Sequence, residues 1–180
     1  YLSLNGTNFT YDANSQLIGG SITNLRYDVV SAPTFSAALA LSGVSAASFG
    51  QWLAADANQQ AFSTLLAGNN HLQGSTQSDL IRAYGGDDVI LSGGGSDSLF
   101  GGDGDDQITG SWQDPSYLRG EAGADYIVGG SGFDDINGNM GNDTAGGGAG
   151  TDWVVGGQGQ DLLFGETGND IVYGNMGNDS

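Results

Sequence analysis

Residues 101–109 read GGDGDDQIT, and variants of this nine-residue unit recur along the chain from Gly74 onward. The first and fourth residues are mostly glycine, the sixth is almost always aspartate, and the eighth is aliphatic in nearly every copy. A fixed period of this kind is typical of a solenoid, in which each unit packs against its neighbours. The pattern predicts six residues of turn followed by three of strand, with the eighth residue pointing inward and the seventh and ninth pointing outward.

Aspartate occupies the sixth position in eleven units, at nine-residue intervals with one slip. These residues are Asp79, Asp88, Asp97, Asp106, Asp125, Asp134, Asp143, Asp152, Asp161, Asp170 and Asp179. If two units make one turn, the aspartates stack in two columns, with neighbours about 4.8 Å apart. Carboxylates and glycine carbonyls are oxygen ligands, which suit a hard cation and above all Ca²⁺. We therefore predict that these aspartates bind calcium.

The repeated pattern Gly-Gly-x-Gly-x-Asp-x-aliphatic-x resembles the repeat-in-toxin (RTX), hemolysin-type calcium-binding nonapeptide over residues 74–180. The resemblance implies a right-handed parallel β-roll, with two nonapeptides per turn and calcium held between turns by the aspartates and turn carbonyls. It also implies a secreted protein, commonly exported by type I secretion from Gram-negative bacteria. The uninterrupted aspartate pairs within the two columns predict about eight regular calcium sites.

The charge and composition exclude several classes of function. The formal net charge is −18, from 21 acidic and three basic residues, which disfavours nucleic acid and anionic membranes as partners. No apolar run is long enough to predict a transmembrane segment. The chain has no cysteine, which excludes a thiolate metal site. It also lacks hydrolase motifs, and we interpret its single histidine, His71, as a structural residue at a domain junction, so no enzymatic activity is expected.

The composition changes near residues 70–74, which predicts a capping segment over residues 1–72 and a β-roll over residues 73–180. Because the chain starts without Met and stops in mid-repeat, we expect a fragment or a processed chain. In the first segment, strand-like runs cover residues 8–11 and 17–30, and residues 12–15 suggest a turn. Alanine-rich residues 34–41 predict a short helix, and further helices are expected near residues 45–53 and 62–66. The predicted fold is therefore mainly β, with a small α/β cap on the open end of the roll.

One unit departs from the pattern. Residues 110–119 form a block of ten, in which Pro115 removes a backbone donor and Ser116 takes the place of the aspartate. We therefore predict that the sites pairing Asp97 and Asp134 with this turn are absent, or are rebuilt using Asp114.

Apolar residues occupy the outward positions near the end of the chain, which predicts an interface, most readily with another copy of the chain. They are Trp153, Val155, Ile171 and Tyr173 on one face, and Leu162 and Phe164 on the other.

The function that these features favour is a calcium-binding structural module of a secreted, cell-surface-associated bacterial protein. Such a module would belong to an S-layer, adhesin or filament component that folds and assembles on calcium binding. The alternative is the non-catalytic RTX secretion region of a larger hydrolase, such as a protease or lipase. A glycan-binding module like those attached to alginate-modifying enzymes is disfavoured by the shortage of basic residues.

Overall fold

The computed structural model describes residues 2–11, 17–28, 36–40 and 67–180. In the first part of the chain, three antiparallel strands form one sheet in the order β1-β2-β3. These strands are β1 (Leu2–Tyr11), β2 (Leu17–Asp28) and β3 (Ser36–Ala40). Both strands expected from the sequence are present, and β1 begins earlier than the pattern predicted. No described residue is helical, so this part of the chain contains no helix that is long and apolar enough to cross a membrane.

The helix predicted over residues 34–41 is wrong, because Ser36–Ala40 form strand β3. Ala38 pairs with Arg26, and Ser36 pairs with Asp28, in an antiparallel register. A run of alanines favours a helix only weakly, and one this short cannot sustain an isolated helix, so pairing with a neighbouring strand decides the conformation. The other helices expected at residues 45–53 and 62–66, and the turn at residues 12–15, lie outside the described residues.

From His71 onward the chain alternates between two parallel sheets of six strands each. The even sheet consists of β4 (His71–Gln73), β6 (Val89–Leu91), β8 (Gln107–Thr109), β10 (Tyr126–Gly132), β12 (Thr144–Gly150) and β14 (Leu162–Gly168). The odd sheet consists of β5 (Leu80–Gly85), β7 (Ser98–Asp103), β9 (Ser116–Ala122), β11 (Asp134–Met140), β13 (Trp153–Gln158) and β15 (Ile171–Met176). Because consecutive strands alternate between the sheets, two nonapeptides make one turn, and the predicted parallel β-solenoid is confirmed.

The core lies between the two sheets and is built from the eighth residue of each unit, as predicted. The side chains at this position are fully buried in most turns: Ile90, Leu99, Ile108, Leu118, Ile127, Ile136, Ala145 and Val154. Val172 lies on the same face, since it pairs in register with the buried Val154, but 43% of it is exposed. It lies in β15, the outermost strand of the odd sheet, where one flank has no neighbouring strand.

Several strands are longer than the three residues predicted. In β7, for example, Gly102 and Asp103 belong to the next unit but still pair with Tyr84 and Gly85 of the preceding turn. The first residues of a unit therefore continue the sheet before the chain turns. The extra residue of the irregular block is absorbed before β9, because Leu118 pairs with Leu99 on one side and with Ile136 on the other. The register of the core is thus kept.

Candidate metal centre

The turns between the sheets stack the aspartates in two columns, as the eighteen-residue turn predicts. The long column contains Asp88, Asp106, Asp125, Asp143, Asp161 and Asp179. The interrupted column contains Asp79, Asp97, Ser116, Asp134, Asp152 and Asp170. Within each column the backbone N–H of one residue donates to Oδ1 of the aspartate in the next turn, as from Asp125 to Asp143 at 2.9 Å. Parallel pairing on both sides of each turn produces this register.

The second carboxylate oxygen of most of these aspartates is buried without a hydrogen-bond partner. This is true of Oδ2 in Asp88, Asp97, Asp106, Asp125, Asp134, Asp143, Asp152 and Asp161. Asp79 differs, because its Oδ2 accepts hydrogen bonds from the backbone N–H and the hydroxyl of Ser75. A buried carboxylate oxygen with no donor is strongly unfavourable, and it is neutralised by a proton or a cation. Each column therefore contains several buried carboxylates that must be neutralised by a proton or a cation.

Burial raises the pKa of these carboxyl groups. From a usual value of 3.8, the pKa rises to about 6 in Asp88, Asp97, Asp106, Asp134 and Asp143. That of Asp125 rises to about 7, first because of burial and then because Asp143 and Asp106 lie above and below it. Without a cation, these groups hold protons at a pH where free aspartate is ionised.

The surroundings of each unpaired oxygen consist of other oxygens. A Cβ atom added to Gly101 would lie 2.1 Å from Oδ2 of Asp106 and 2.8 Å from the carbonyl oxygen of Gly120 in the next turn. The same arrangement recurs at Gly120, with Oδ2 of Asp125 at 2.1 Å and the carbonyl of Gly138 at 2.8 Å. Carboxylate and carbonyl oxygens thus converge where a side chain would otherwise stand. This donor set, which holds neither nitrogen nor sulfur, fits calcium.

The glycine at the fourth position of the unit allows neighbouring turns to approach closely. Gly141 has φ of 136°, and an added Cβ would lie 1.7 Å from the carbonyl oxygen of Gly123, one turn earlier. Gly123 has φ of 141° and stands in the same relation to Gly104, at 1.9 Å. A side chain at either position would both strain the backbone and separate the turns.

Any calcium site between the turns would need backbone carbonyls as further ligands. In the part of the chain that the structure describes, no group of three or more His, Cys, Asp or Glu side chains converges on one point. Each space between turns is bordered by the aspartates of two adjacent turns, with glycine carbonyls beside them. Turn carbonyls are therefore needed to fill the six to eight positions that calcium prefers.

The polar groups of the irregular turn form hydrogen bonds within the turn and with its neighbours. Ser116 occupies the expected place in the interrupted column, and its N–H donates to Oδ1 of Asp134 at 2.7 Å. Its hydroxyl accepts from the N–H of Ser111 at 3.1 Å, so no buried carboxylate stands here. Asp114 accepts from the N–H of Gly95 at 3.0 Å, and its charge contributes to the raised pKa of Asp97. Whether Asp114 also takes part in a metal site stays a prediction.

A second ladder of hydrogen bonds, at the fifth position of the unit, was not predicted. The N–H of Asp105 donates to Oδ1 of Asp87 at 3.1 Å, and the N–H of Ala124 donates to Oδ1 of Asp105 at 2.8 Å. The fifth-position ladder runs opposite to the aspartate columns, because here the later turn donates to the earlier one. The recurrence of Asn and Asp at residues 69, 87, 105 and 142 was the signal in the sequence.

The six predicted interface residues lie on the outer faces of the sheets. Trp153 pairs with Ile171, and Val155 pairs with Tyr173, on the odd sheet. Three of these four are about half exposed: Trp153 at 46%, Ile171 at 50% and Tyr173 at 53%. Leu162 and Phe164 lie on the even sheet with 41% and 46% exposed. Their outward orientation is as predicted, and their role as an interface stays a proposal.

The fold and the oxygen-lined turns define a repeat module whose stacked aspartates are suited to calcium. The family profile of the RTX calcium-binding nonapeptide repeat matches the chain four times, over residues 66–99, 86–114, 117–145 and 146–180. The chain therefore belongs to the RTX calcium-binding repeat family, whose repeats form structural calcium-binding modules in proteins that are typically secreted. No curated protein matches the sequence.

Proposed function

We propose that this chain is the calcium-binding structural module of a secreted, cell-surface-associated bacterial protein, an S-layer, adhesin or filament component. In this proposal the roll folds and assembles when calcium binds. The observation that carries it is the set of buried Oδ2 atoms without partners in the aspartate columns. The eleven aspartates of the sequence pattern would be the ligands, together with turn carbonyls.

The electrostatics of the columns support coupled folding and binding. Two carboxylates ~5 Å apart at an effective dielectric constant of about 20 repel each other by about 3 kcal/mol. Each column repeats this repulsion from turn to turn, which opposes folding of the metal-free chain. About eight divalent ions would contribute about +16, against a net charge of −18. Calcium would therefore reverse the sign of the interaction between turns.

Because folding would depend on calcium, the calcium concentration of a compartment would decide whether the chain is folded there. Extracellular calcium modules bind with dissociation constants of roughly 10⁻⁴ to 10⁻³ M. A chain with sites of that affinity stays unfolded in a calcium-poor cytosol and folds after export. Secretion through a narrow channel favours such an unfolded chain, which agrees with the export typical of the family.

The segment before β4 would serve as the cap of the roll, and the predicted boundary at residue 72 falls inside β4 (His71–Gln73). Strand β3 lies next to β4, the first strand of the even sheet, which supports this role. A cap prevents the first turn from exposing its core and its unpaired backbone groups.

Assembly would use the apolar patch on the odd sheet, formed by Trp153, Val155, Ile171 and Tyr173. Contiguous exposed aromatic and aliphatic side chains favour a protein contact. The one acidic residue that pairs in register with Trp153 is Asp135, and it forms a 2.8 Å ion pair with Arg119. Charge repulsion at this patch is therefore weak. Calcium binding would also reduce the negative charge on the rest of the roll.

The test is far-UV circular dichroism of the whole chain in chelator and in millimolar calcium, combined with sedimentation velocity under both conditions. We expect a calcium-dependent gain of β structure, with a cooperative midpoint, followed by self-association at higher protein concentration. Equal β content in the two conditions contradicts the folding switch. A folded chain that stays monomeric in calcium contradicts assembly and leaves the secretion region of a larger hydrolase as the better interpretation.

A further inference from the structure

A groove of 540 Å³ opens on the surface between the outer strands of the odd sheet, beyond the apolar patch. Gly157 forms its floor, with Asn139 and Met140 on one side and Asn175 and Met176 on the other. These residues come from three consecutive turns, since Gly157 pairs with both Asn139 and Asn175. Asn137 and Gln158 complete the lining of this amide groove.

The amide groove is uncharged, although the chain carries a net charge of −18. Its polar lining consists of amide side chains, and no Asp, Glu, Lys or Arg lines it. An amide both donates and accepts hydrogen bonds, as a sugar hydroxyl does. Surfaces that select anions need basic residues, and surfaces that bind metal ions need carboxylates. Met140 and Met176, both more than half exposed, add apolar surface to the lining. The lining therefore favours a neutral ligand that presents both hydroxyl groups and apolar faces.

Two of the amides occupy backbone positions that side chains usually avoid. Asn139 has φ of 78° and Asn175 has φ of 74°, whereas Gly157 occupies the equivalent position between them at 120°. Asparagine tolerates this conformation better than most residues, but glycine adopts it more readily. The conformation itself belongs to the repeat, since Tyr84, Glu121 and Glu166 adopt it at the same position of the unit. The two asparagines, two turns apart, stand roughly 10 Å apart at their Cα atoms, which leaves room for a flat ring between them.

An aromatic side chain adjoins the amide groove. Tyr173 precedes Asn175 by two residues on β15, and 53% of it is exposed. Through the paired strands it is in register with Asn137, which lines the groove. An exposed aromatic ring offers an apolar face and a polar hydroxyl at one edge. Such a ring near the amides suits the apolar face of a pyranose ring. Because Tyr173 also belongs to the apolar patch, oligosaccharide binding and self-association would compete for it.

We propose that the amide groove binds an uncharged oligosaccharide, with Asn139 and Asn175 on opposite sides of a sugar ring. This site is distinct from the calcium columns and goes beyond the proposed structural function. The shortage of basic residues, which disfavours an anionic glycan, does not disfavour a neutral one. A repeating surface with one amide-bearing turn after another also matches a repeating polymer.

The experiment is isothermal titration calorimetry of the whole chain in saturating calcium. The neutral probes are α-1,4-linked and β-1,4-linked glucose hexamers, and the anionic probe is a galacturonate hexamer. We expect a neutral hexamer to bind at least about tenfold more tightly than the galacturonate hexamer, a difference of about 1.4 kcal/mol. The double variant Asn139→Gly with Asn175→Gly should lower that affinity by about tenfold or more. Because glycine suits these φ values, the variant should keep or raise its melting temperature.

The matched control is Glu166→Gly, which makes the same kind of change at the same position of the unit, where φ is 67°, on the other edge of the roll. It should leave binding unchanged. The proposal is overturned if no neutral hexamer binds, or if the double variant binds as tightly as the unaltered chain. It is also overturned if the double variant loses only self-association in sedimentation, which would make the groove a contact between copies. Circular dichroism of the same samples shows whether the roll has folded, and so separates this inference from the calcium proposal.

Discussion

The backbone N–H of Asp125 donates a 2.9 Å hydrogen bond to Oδ1 of Asp143 one turn later, while Oδ2 of Asp143 is buried without a partner. In most of the column carboxylates one oxygen therefore joins two turns directly, and the other requires a proton or a cation. Since this relation repeats along each column, every aspartate influences the interfaces on both of its sides. The turns should then gain or lose calcium cooperatively.

Replacing Asp143 with alanine should raise the calcium midpoint of folding by at least about tenfold, equivalent to about 1.4 kcal/mol. The change removes the hydrogen bond from Asp125, and it would also remove the proposed calcium ligand that Asp143 shares with Asp125 and Asp161. The measurement is a calcium titration followed by circular dichroism. Asp103→Ala is the matched control, because Asp103 is exposed outside the columns and its loss should shift the midpoint by less than about twofold. Equal shifts would refute the assignment of the sixth position as the ligand.

Stability should depend on pH in opposite directions with and without calcium. Folding raises the pKa of Asp106 from 3.8 to about 6, so the folded state holds its proton more tightly than the unfolded state. The stabilising contribution of such a group is complete below a pH of 3.8 and is lost as the pH rises through about 6. In chelator, far-UV circular dichroism should therefore show a larger folded fraction at a pH of about 5, where the carboxyl groups hold protons, than at about 7.5, where the calcium-free chain is expected to be unfolded. In calcium the order should reverse, because protons compete with the metal for the same oxygens.

The same spectra also provide the outcome that would contradict this prediction. If the chelated chain gains no β structure as the pH falls from about 7.5 to about 5, the unpaired carboxylates do not control its folding. Asp143→Asn should flatten the pH dependence in chelator, because it removes one titrating group and keeps an oxygen that can accept the N–H of Asp125.

Introducing aspartate at Ser116 should add calcium sites beside the irregular turn. Ser116→Asp would complete the interrupted column between Asp97 and Asp134, and native mass spectrometry should detect up to about two more calcium ions per chain. The same change should make folding in chelator even less favourable, since it buries another carboxylate. Ser96→Asp is the control, because Ser96 is exposed at the fifth position of a turn on the same edge. If Ser116→Asp binds no more calcium ions than the unaltered chain, the extra residue of the ten-residue block prevents calcium binding at this turn.

Gly141→Ala should prevent the calcium-induced folding of the turns around it. Gly141 has φ of 136°, and the new Cβ would lie 1.7 Å from the carbonyl oxygen of Gly123. Gly94→Ala adds the same methyl group where its nearest neighbour is 3.8 Å away, so it should fold normally. Hydrogen exchange in calcium would compare the protection of β10 and β12 in the two variants. Equal protection would mean that close approach of the turns is not required.

Self-association in calcium should depend on the apolar patch of the odd sheet. Trp153→Ser combined with Tyr173→Ser should raise the dimer dissociation constant by about tenfold or more, as expected for aromatic residues at the centre of an interface. Leu80→Ser is the control, because Leu80 lies on the same sheet at the opposite end and is 60% exposed. Sedimentation velocity at several concentrations would separate the two cases. An unchanged dissociation constant in the double variant rules out this face as the contact.

Much of the fold could be predicted because each nonapeptide carries the same residue types at the same positions. Ile108 follows Asp106 by two residues, so one residue faces the core wherever the other occupies the turn. The same reasoning located Ser116 in the interrupted column, although its block contains ten residues. The helix expected over residues 34–41 was wrong, since its alanines pair with β2, and no local pattern signals that partner.

By itself, the sequence determined the nonapeptide period, the two aspartate columns, the inward aliphatic positions and the acidic charge. All of these follow from spacing along the chain, because a parallel register of eighteen residues brings equivalent positions together. Only the tertiary structure decided which oxygen of each aspartate is paired, how the fifth-position ladder runs, and where Gly157 opens a groove between Asn139 and Asn175. These features depend on distances between neighbouring turns, and such distances are set only when the turns pack against one another.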